Sequence, residues 1–206
     1  LMLNEINSAK FKRITQTIIY LPHFVSWVVI GGIMLNFLSI YGGPVNRLIE
    51  ILGGEPIFFM ASKEHFRALL VISHIWRNAG WSTIIYIAAL TGINPELYEA
   101  AKVDGANRFR QMLHITLPGI MSTIVIMLIL NISRILKIGF DQVVVLYNPV
   151  VWEVSDILQT YVYRTGLQQG RYSYAAAAGL FESVVAFILI FASDRLAKAV
   201  GEKGLF

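Results

Sequence analysis

Residues 17–40 read TIIYLPHFVSWVVIGGIMLNFLSI and contain no Asp, Glu, Lys or Arg. A run of that length meets the requirement of roughly 20 apolar residues for a helix to cross the hydrocarbon core of a bilayer. In that solvent each backbone N–H and C=O must be satisfied internally, so only helices and closed barrels can span it. Three comparable runs follow: 68–92, interrupted by Arg77; 117–140, with Arg134 and Lys137 toward its far end; and 172–193, with Glu182 inside. The pattern predicts an all-α, polytopic membrane helix bundle. Composition agrees, since 56% of residues are hydrophobic and 15% charged, whereas a soluble domain carries about 25% charged residues.

Local signals refine the four runs. Pro22 lies within the first two turns of the first run, where a kink is expected more than a break. Gly31 and Gly32 allow close helix approach, and the AAAA run at 175–178 reads as a small packing face. YGGPVN at 41–46 is a turn. The segment 141–171 is long for a membrane loop. Within it Ser155 is placed to cap a short external helix, with Ile157, Leu158, Tyr161 and Val162 on one face. Cysteine is absent, which excludes disulfides, zinc–thiolate sites and a cysteine nucleophile. His23, His65, His74 and His114 are scattered, so no metal site is expected. The first residue is Leu1, and the chain reads as a fragment that lacks an earlier span.

The most informative stretch is 95–119, PELYEAAKVDGANRFRQMLHITLPG, a polar segment between two apolar runs. Asn94 is a good N-cap, with Pro95 at the first helical position and Glu96 in the first turn. Leu97, Tyr98, Ala101 and Val103 form its apolar side. Asp104-Gly105 then stops the helix, because glycine readily takes the left-handed conformation of a C-terminus. A second helix is expected from Ala106, with Phe109, Met112 and Leu113 as a buried stripe and Arg108, Arg110 and Gln111 opposite. Leu117-Pro118 should end it. An interfacial amphipathic connector has this pattern. A DNA-binding helix-turn-helix also joins two short helices through a glycine, but few basic groups are available, pressed between two membrane runs. Lys and Arg bias the orientation. With 95–119 inside, nine basic residues (Lys10, Lys12, Arg13, Lys102, Arg108, Arg110, Arg195, Lys198, Lys203) face five outside (Arg47, Lys63, Arg67, Arg164, Arg171).

The spacing in this stretch resembles the EAA loop of membrane subunits of bacterial binding-protein-dependent ABC importers. Glu99-Ala100-Ala101 is followed by three residues, Gly105, nine residues, then Ile115-Thr116-Leu117-Pro118. Every position of the family pattern is present, and Asp104, Ala106 and Phe109 are similar to its sugar-importing branch. Segments 16–29, 66–106, 139–149 and 160–167 also resemble oligosaccharide and polysaccharide permeases of Gram-positive bacteria, so the likeness runs along essentially the whole chain.

The resemblance implies a type I ABC importer permease (MetI-like) fold in the bacterial cytoplasmic membrane, with the 94–118 loop and the C-terminus cytoplasmic. It implies a second homologous permease subunit, two ATPase subunits, an extracellular sugar-binding lipoprotein and membrane lipid as partners, and no nucleic acid. Glu99, Ala100, Ala101, Asp104, Gly105, Ala106, Phe109, Leu117 and Pro118 are then the ATPase-docking residues. No G-x-x-x-x-G-K-[ST] phosphate loop occurs. No cofactor is therefore expected in this chain, with ATP–Mg held by the partner ATPase, and no enzymatic activity of its own.

The family's path for sugar lies between the helices that flank the loop. His74, Trp76, Arg77, Asn78 and Trp81 in the second run are candidates, as are Asn131, Arg134 and Lys137 in the third. A charged group at membrane depth costs about 2.5–3.5 kcal/mol on insertion scales, so it faces a cavity or a partner. For Arg77 the alternative is a structural pair with a carboxylate of the partner subunit. Asn131, Arg134 and Lys137 share a face by the i, i+3 rule. Two readings stay open for Arg134 and Lys137: preference for an acidic, uronate-bearing oligosaccharide, or snorkelling near a helix end. A permease for another solute and a non-transporting membrane anchor are the competing functions.

Overall fold

The computed structural model describes residue 3, residues 8–134 and residues 139–199. Among the described residues the regular elements are all helical: α1 (Ala9–Phe24), α2 (Trp27–Phe37), α3 (Pro44–Ile51), α4 (Lys63–Thr91), α5 (Pro95–Val103), α6 (Arg108–Gln111), α7 (Leu117–Gly119), α8 (Met121–Arg134), α9 (Phe140–Leu146), α10 (Trp152–Ser155), α11 (Leu158–Tyr163) and α12 (Tyr172–Ala199). Wide π turns occupy Met112–Thr116 and Arg164–Gln168. The chain packs as two compact units, one of Leu1–Lys12, Trp81–Leu136 and Phe181–Phe206, the other of Arg13–Gly80 and Lys137–Leu180.

In the Arg13–Gly80 and Lys137–Leu180 unit, the first apolar run is broken rather than kinked. Two helices bent by 103° replace the single span. Pro22 sits two residues before the α1 end and weakens its last turn, because its nitrogen has no hydrogen to donate. Ser26 then adopts extended backbone (φ −67°, ψ 153°) and its hydroxyl accepts from the Val29 N–H, starting α2 afresh. Met60, Phe66, Leu146 and Val151 form the buried core of this unit, with Leu69, Leu70, Tyr147 and Val154 packed on it. Two glycines permit close approaches: Gly31 seats α2 against Val145 of α9, and a Cβ at Gly80 would fall on the Ile19 carbonyl of α1. The buried Gln142 amide donates to the Leu70 carbonyl (2.7 Å) and to Ser73 Oγ (2.8 Å), so its polar group is satisfied where α9 meets α4.

The external helix expected at 154–167 is in fact three pieces. Ser155 closes α10 with its hydroxyl donating back to the Val151 carbonyl, and it is buried, so it caps nothing. Thr160 starts α11 instead. Its hydroxyl accepts from the Ile157 N–H at 2.9 Å and lies 2.7 Å from Asp156 Oδ1. Arg67 Nε donates to the Val154 carbonyl and Lys63 pairs with Glu153, tying the start of α4 to α10.

In the other unit, Ile120 and Ile129 are buried beside the loop and along α8, Leu90 in α4, and Asp194 and Ala197 in α12. Asp194 receives Lys198 one turn on at 3.1 Å. Among the described residues, α12 alone qualifies outright by length and composition to cross a membrane; α1 with α2, and Arg108–Gly119 with Met121–Ile132, qualify as bent pairs. The second expected run forms the 29-residue α4. His74, Arg77 and Asn78 make its middle too polar to qualify. The third run is bent by 61° at Ile120, and by Phe140 a new helix, α9, has begun.

Candidate functional site

The 94–118 loop forms a helical hairpin with both caps built as its sequence requires. Asn94 Oδ1 accepts from the Glu96 N–H at 3.0 Å, and Pro95 opens α5. At the other end Gly105 takes φ +73°. The Ala106 N–H donates to the Ala101 carbonyl (2.9 Å) and the Gly105 N–H to the Lys102 carbonyl (3.1 Å), the paired bonds of a Schellman stop. The second arm begins at Arg108 rather than Ala106, because Asn107 supplies an N-cap through its side chain to the Arg110 N–H at 2.9 Å. The asparagine was visible in the sequence and is a stronger cap than alanine. Ala106 serves instead as the acceptor for the Gln111 amide at 2.8 Å.

Pro118 does not end the second arm. The backbone widens into the π turn Met112–Thr116, with the Leu117 N–H reaching back to the Met112 carbonyl, and α7 continues to Gly119. The wide turn lies directly before the residue that cannot donate to the His114 carbonyl, so the mismatch is absorbed there. Across the hairpin Tyr98 Oη lies 3.0 Å from the buried Thr116 Oγ1, tying one arm to the other. Gly119 lets the chain pass against Ile93.

Glu99, Ala100, Asp104, Gly105 and Pro118 are exposed, and Ala101, Ala106 and Leu117 half-buried. Phe109 is the correction. It is 63% exposed and Leu113 41%, with only Met112 of the expected buried stripe turned partly inward. Val103, at 89%, is more exposed still. The hairpin thus presents small residues at Ala100 and Ala101, an acid at Glu99 and two large open apolar groups at Val103 and Phe109.

A second constellation lies on α4. Arg77 pairs with no carboxylate among the described residues: its Nε donates to the Val25 carbonyl at 3.1 Å, in the break between α1 and α2, and its guanidinium lies over the Trp27 ring at 5.0 Å. His74 stacks on Trp27 with centroids 6.4 Å apart and planes 14° apart. Its Nδ1 is buried and finds no hydrogen-bond partner among the described residues. The Asn78 amide donates to the His74 carbonyl one turn earlier at 2.9 Å. The structure therefore brings His74, Arg77 and Asn78 together and adds Trp27, a residue the sequence did not single out. Trp76 points elsewhere on the helix and is 52% exposed. Trp81 and Asn131 belong to the other unit. Trp81 is 46% exposed, and the exposed Asn131 amide donates to the Met127 carbonyl of its own helix. Arg134 ends α8, and Lys137 lies outside the described residues. No group of three or more metal-ligating side chains occurs among the described residues.

The model of the family described as binding-protein-dependent transport system inner membrane component matches residues 3–202. Over all 206 residues the chain is 51% identical to the polygalacturonan/rhamnogalacturonan transport system permease protein YteP of Bacillus subtilis (strain 168), of which it covers 64%. Protein LplB of the same organism is 48% identical, and 65% of it is covered. The chain thus spans just under two thirds of the length of these relatives. Its backbone superposes with a TM-score of 0.96, at 40% identity and over 99% of this chain and 71% of the other, on a crystal structure of a bacterial alginate ABC transporter in complex with alginate pentasaccharide-bound periplasmic protein. The fold is the all-α MetI-like architecture of ABC transporter membrane subunits. The chain belongs to the binding-protein-dependent transport system inner membrane component family.

Proposed function

We propose that this chain is part of a permease subunit that carries oligosaccharides inward across the bacterial cytoplasmic membrane, driven by separate ATPase subunits. The observation that carries the reading is the exposed, glycine-hinged hairpin 94–118, whose small and open apolar residues suit a docked partner. In this reading the hairpin and C-terminus are cytoplasmic, and a second homologous permease subunit completes the pathway. An external sugar-binding lipoprotein delivers cargo. ATP–Mg binds only the ATPases, so this chain holds no cofactor and catalyses no reaction. His74, Arg77, Asn78 and Trp27 offer hydrogen-bonding and aromatic groups for a sugar at membrane depth. The polygalacturonan/rhamnogalacturonan named for YteP and the acidic polysaccharide alginate named for the matching transporter structures, together with the basic Arg77 and Arg134, support an acidic, uronate-bearing cargo.

The test is association of the full-length subunit with its cognate ATPase. A β-branched residue in the left-handed region costs about 1–2 kcal/mol, and 1.4 kcal/mol is about tenfold in affinity. Gly105→Val and Ala100→Trp are therefore expected to weaken ATPase capture by about tenfold or more, with membrane insertion intact. Undiminished capture by both variants would remove the docking role and return the hairpin to a plain interfacial connector.

A further inference from the structure

We infer that α3 with Leu52 is an interfacial helix that beds its outer ridge in the headgroup–acyl boundary of the bilayer, at the end of α2. The helix cannot roll. Gly42 (φ +79°) and Gly53 (φ +84°) bracket it. The Gly54 N–H donates to the Ile49 carbonyl and the Gly53 N–H to the Glu50 carbonyl, closing a second Schellman stop. On its inner side Asn46, 1% exposed, uses its whole amide. Its Nδ2 donates to the carbonyls of Leu38 (3.1 Å), Ser39 (3.1 Å) and Ile57 (2.9 Å), and its Oδ1 accepts from the Ile57 N–H at 2.7 Å. With Asn46 held inward, Leu48, Ile51 and Leu52 are forced out, at 57%, 73% and 78% exposure.

At 100° per residue these three fall within an arc of about 100°, and Arg47 and Glu50 occupy a separate exposed arc. Core, water and a third medium each receive one side of the helix. Lipid is the occupant that fits. Asn46 pins α3 to the end of α2, whose Val29, Ile33 and Phe37 are themselves open apolar groups. Tyr41, 94% exposed at the junction, is the residue type of the membrane–water boundary. The ridge is aliphatic, without the Trp or Arg anchors that dominate protein–protein contacts, and an amphipathic helix of this kind beds its apolar face at the headgroup level.

These 206 residues contain no cysteine, so with any cysteine elsewhere in the complex replaced by serine, nitroxide labels are placed singly. Leu48→Cys, Ile51→Cys and Glu50→Cys are each labelled in the full-length subunit, assembled with its partners in phosphatidylcholine–phosphatidylglycerol nanodiscs. Collision rates with oxygen and with a water-soluble nickel chelate are then measured. At positions 48 and 51 oxygen accessibility should exceed nickel accessibility several-fold, and at position 50 the order should reverse. Equal nickel accessibility at all three positions would overturn the inference in favour of a water-facing helix. Protection of 48 and 51 from both reagents would overturn it in favour of a docked protein.

Discussion

Arg164 and Arg77 answer the cost of a cation in a largely apolar chain in two different ways. Arg164 holds Asp156 through Nη2–Oδ2 (2.6 Å) and Nη1–Oδ1 (3.3 Å), and its guanidinium lies over Trp152 at 4.9 Å and Tyr161 at 5.7 Å. Burial pushes the Asp156 carboxyl up, but the hydrogen bonds from Arg164 and Thr160 outweigh it and hold the group below the usual aspartate range. A lowered carboxylate contributes stability that is complete above its unfolded value and is lost as pH falls through the folded one. Thermal melts of the full-length subunit should therefore fall more steeply below about pH 4 in the wild type than in Asp156→Asn. Arg77 meets no acid among the described residues and uses a carbonyl and a ring instead. Lysine cannot donate from a planar fork and stack at once. Arg77→Lys should lower stability by about 1–3 kcal/mol, read as a reduced Tm in detergent. That Arg77 was out of place could be read from the chain, but its partners could not. Val25 lies 52 positions away, and nothing in sequence marks a carbonyl left open by a helix break.

The ends of α5 were legible because single side chains decide them, whereas Ser155 was read as a cap it does not form and the Asn107 cap was passed over. Asn94, Pro95 and Gly105 behave as their chemistry demands, because a cap involves neighbours within four residues. What escaped were features set by backbone accommodation. Pro22 was expected to bend a helix that in fact restarts at Ser26, and Pro118 to end a helix that widens and continues. The exposure of Phe109 escaped too, since an i, i+3, i+4 stripe shows which side is apolar and not what covers it. Pro118→Ala tests the wide turn. Restoring the N–H lets it relax toward ordinary helix and rotate the hairpin by one residue, about 100°. Sugar-stimulated ATP hydrolysis should fall while Tm holds or rises; unchanged stimulation would show that the turn plays no part in coupling.

For the whole molecule, the all-α bundle and the family were readable because apolar runs and the Glu99 to Pro118 spacing are one-dimensional signals. Cargo selection is not of that kind, since it depends on side chains converging from distant segments. The uronate reading predicts that the reconstituted importer favours a uronate-bearing oligosaccharide over a neutral one of equal length by about tenfold in kcat/KM, which corresponds to 1.4 kcal/mol. Equal transport of the two would reject it. The hydroxyl bridge from Tyr98 to Thr116 bears on the proposed docking role of the hairpin. Under the proposed docking role, the Tyr98–Thr116 bridge braces the two arms, so a displacement at the tip would pass along the hairpin toward α8 instead of being lost between the arms.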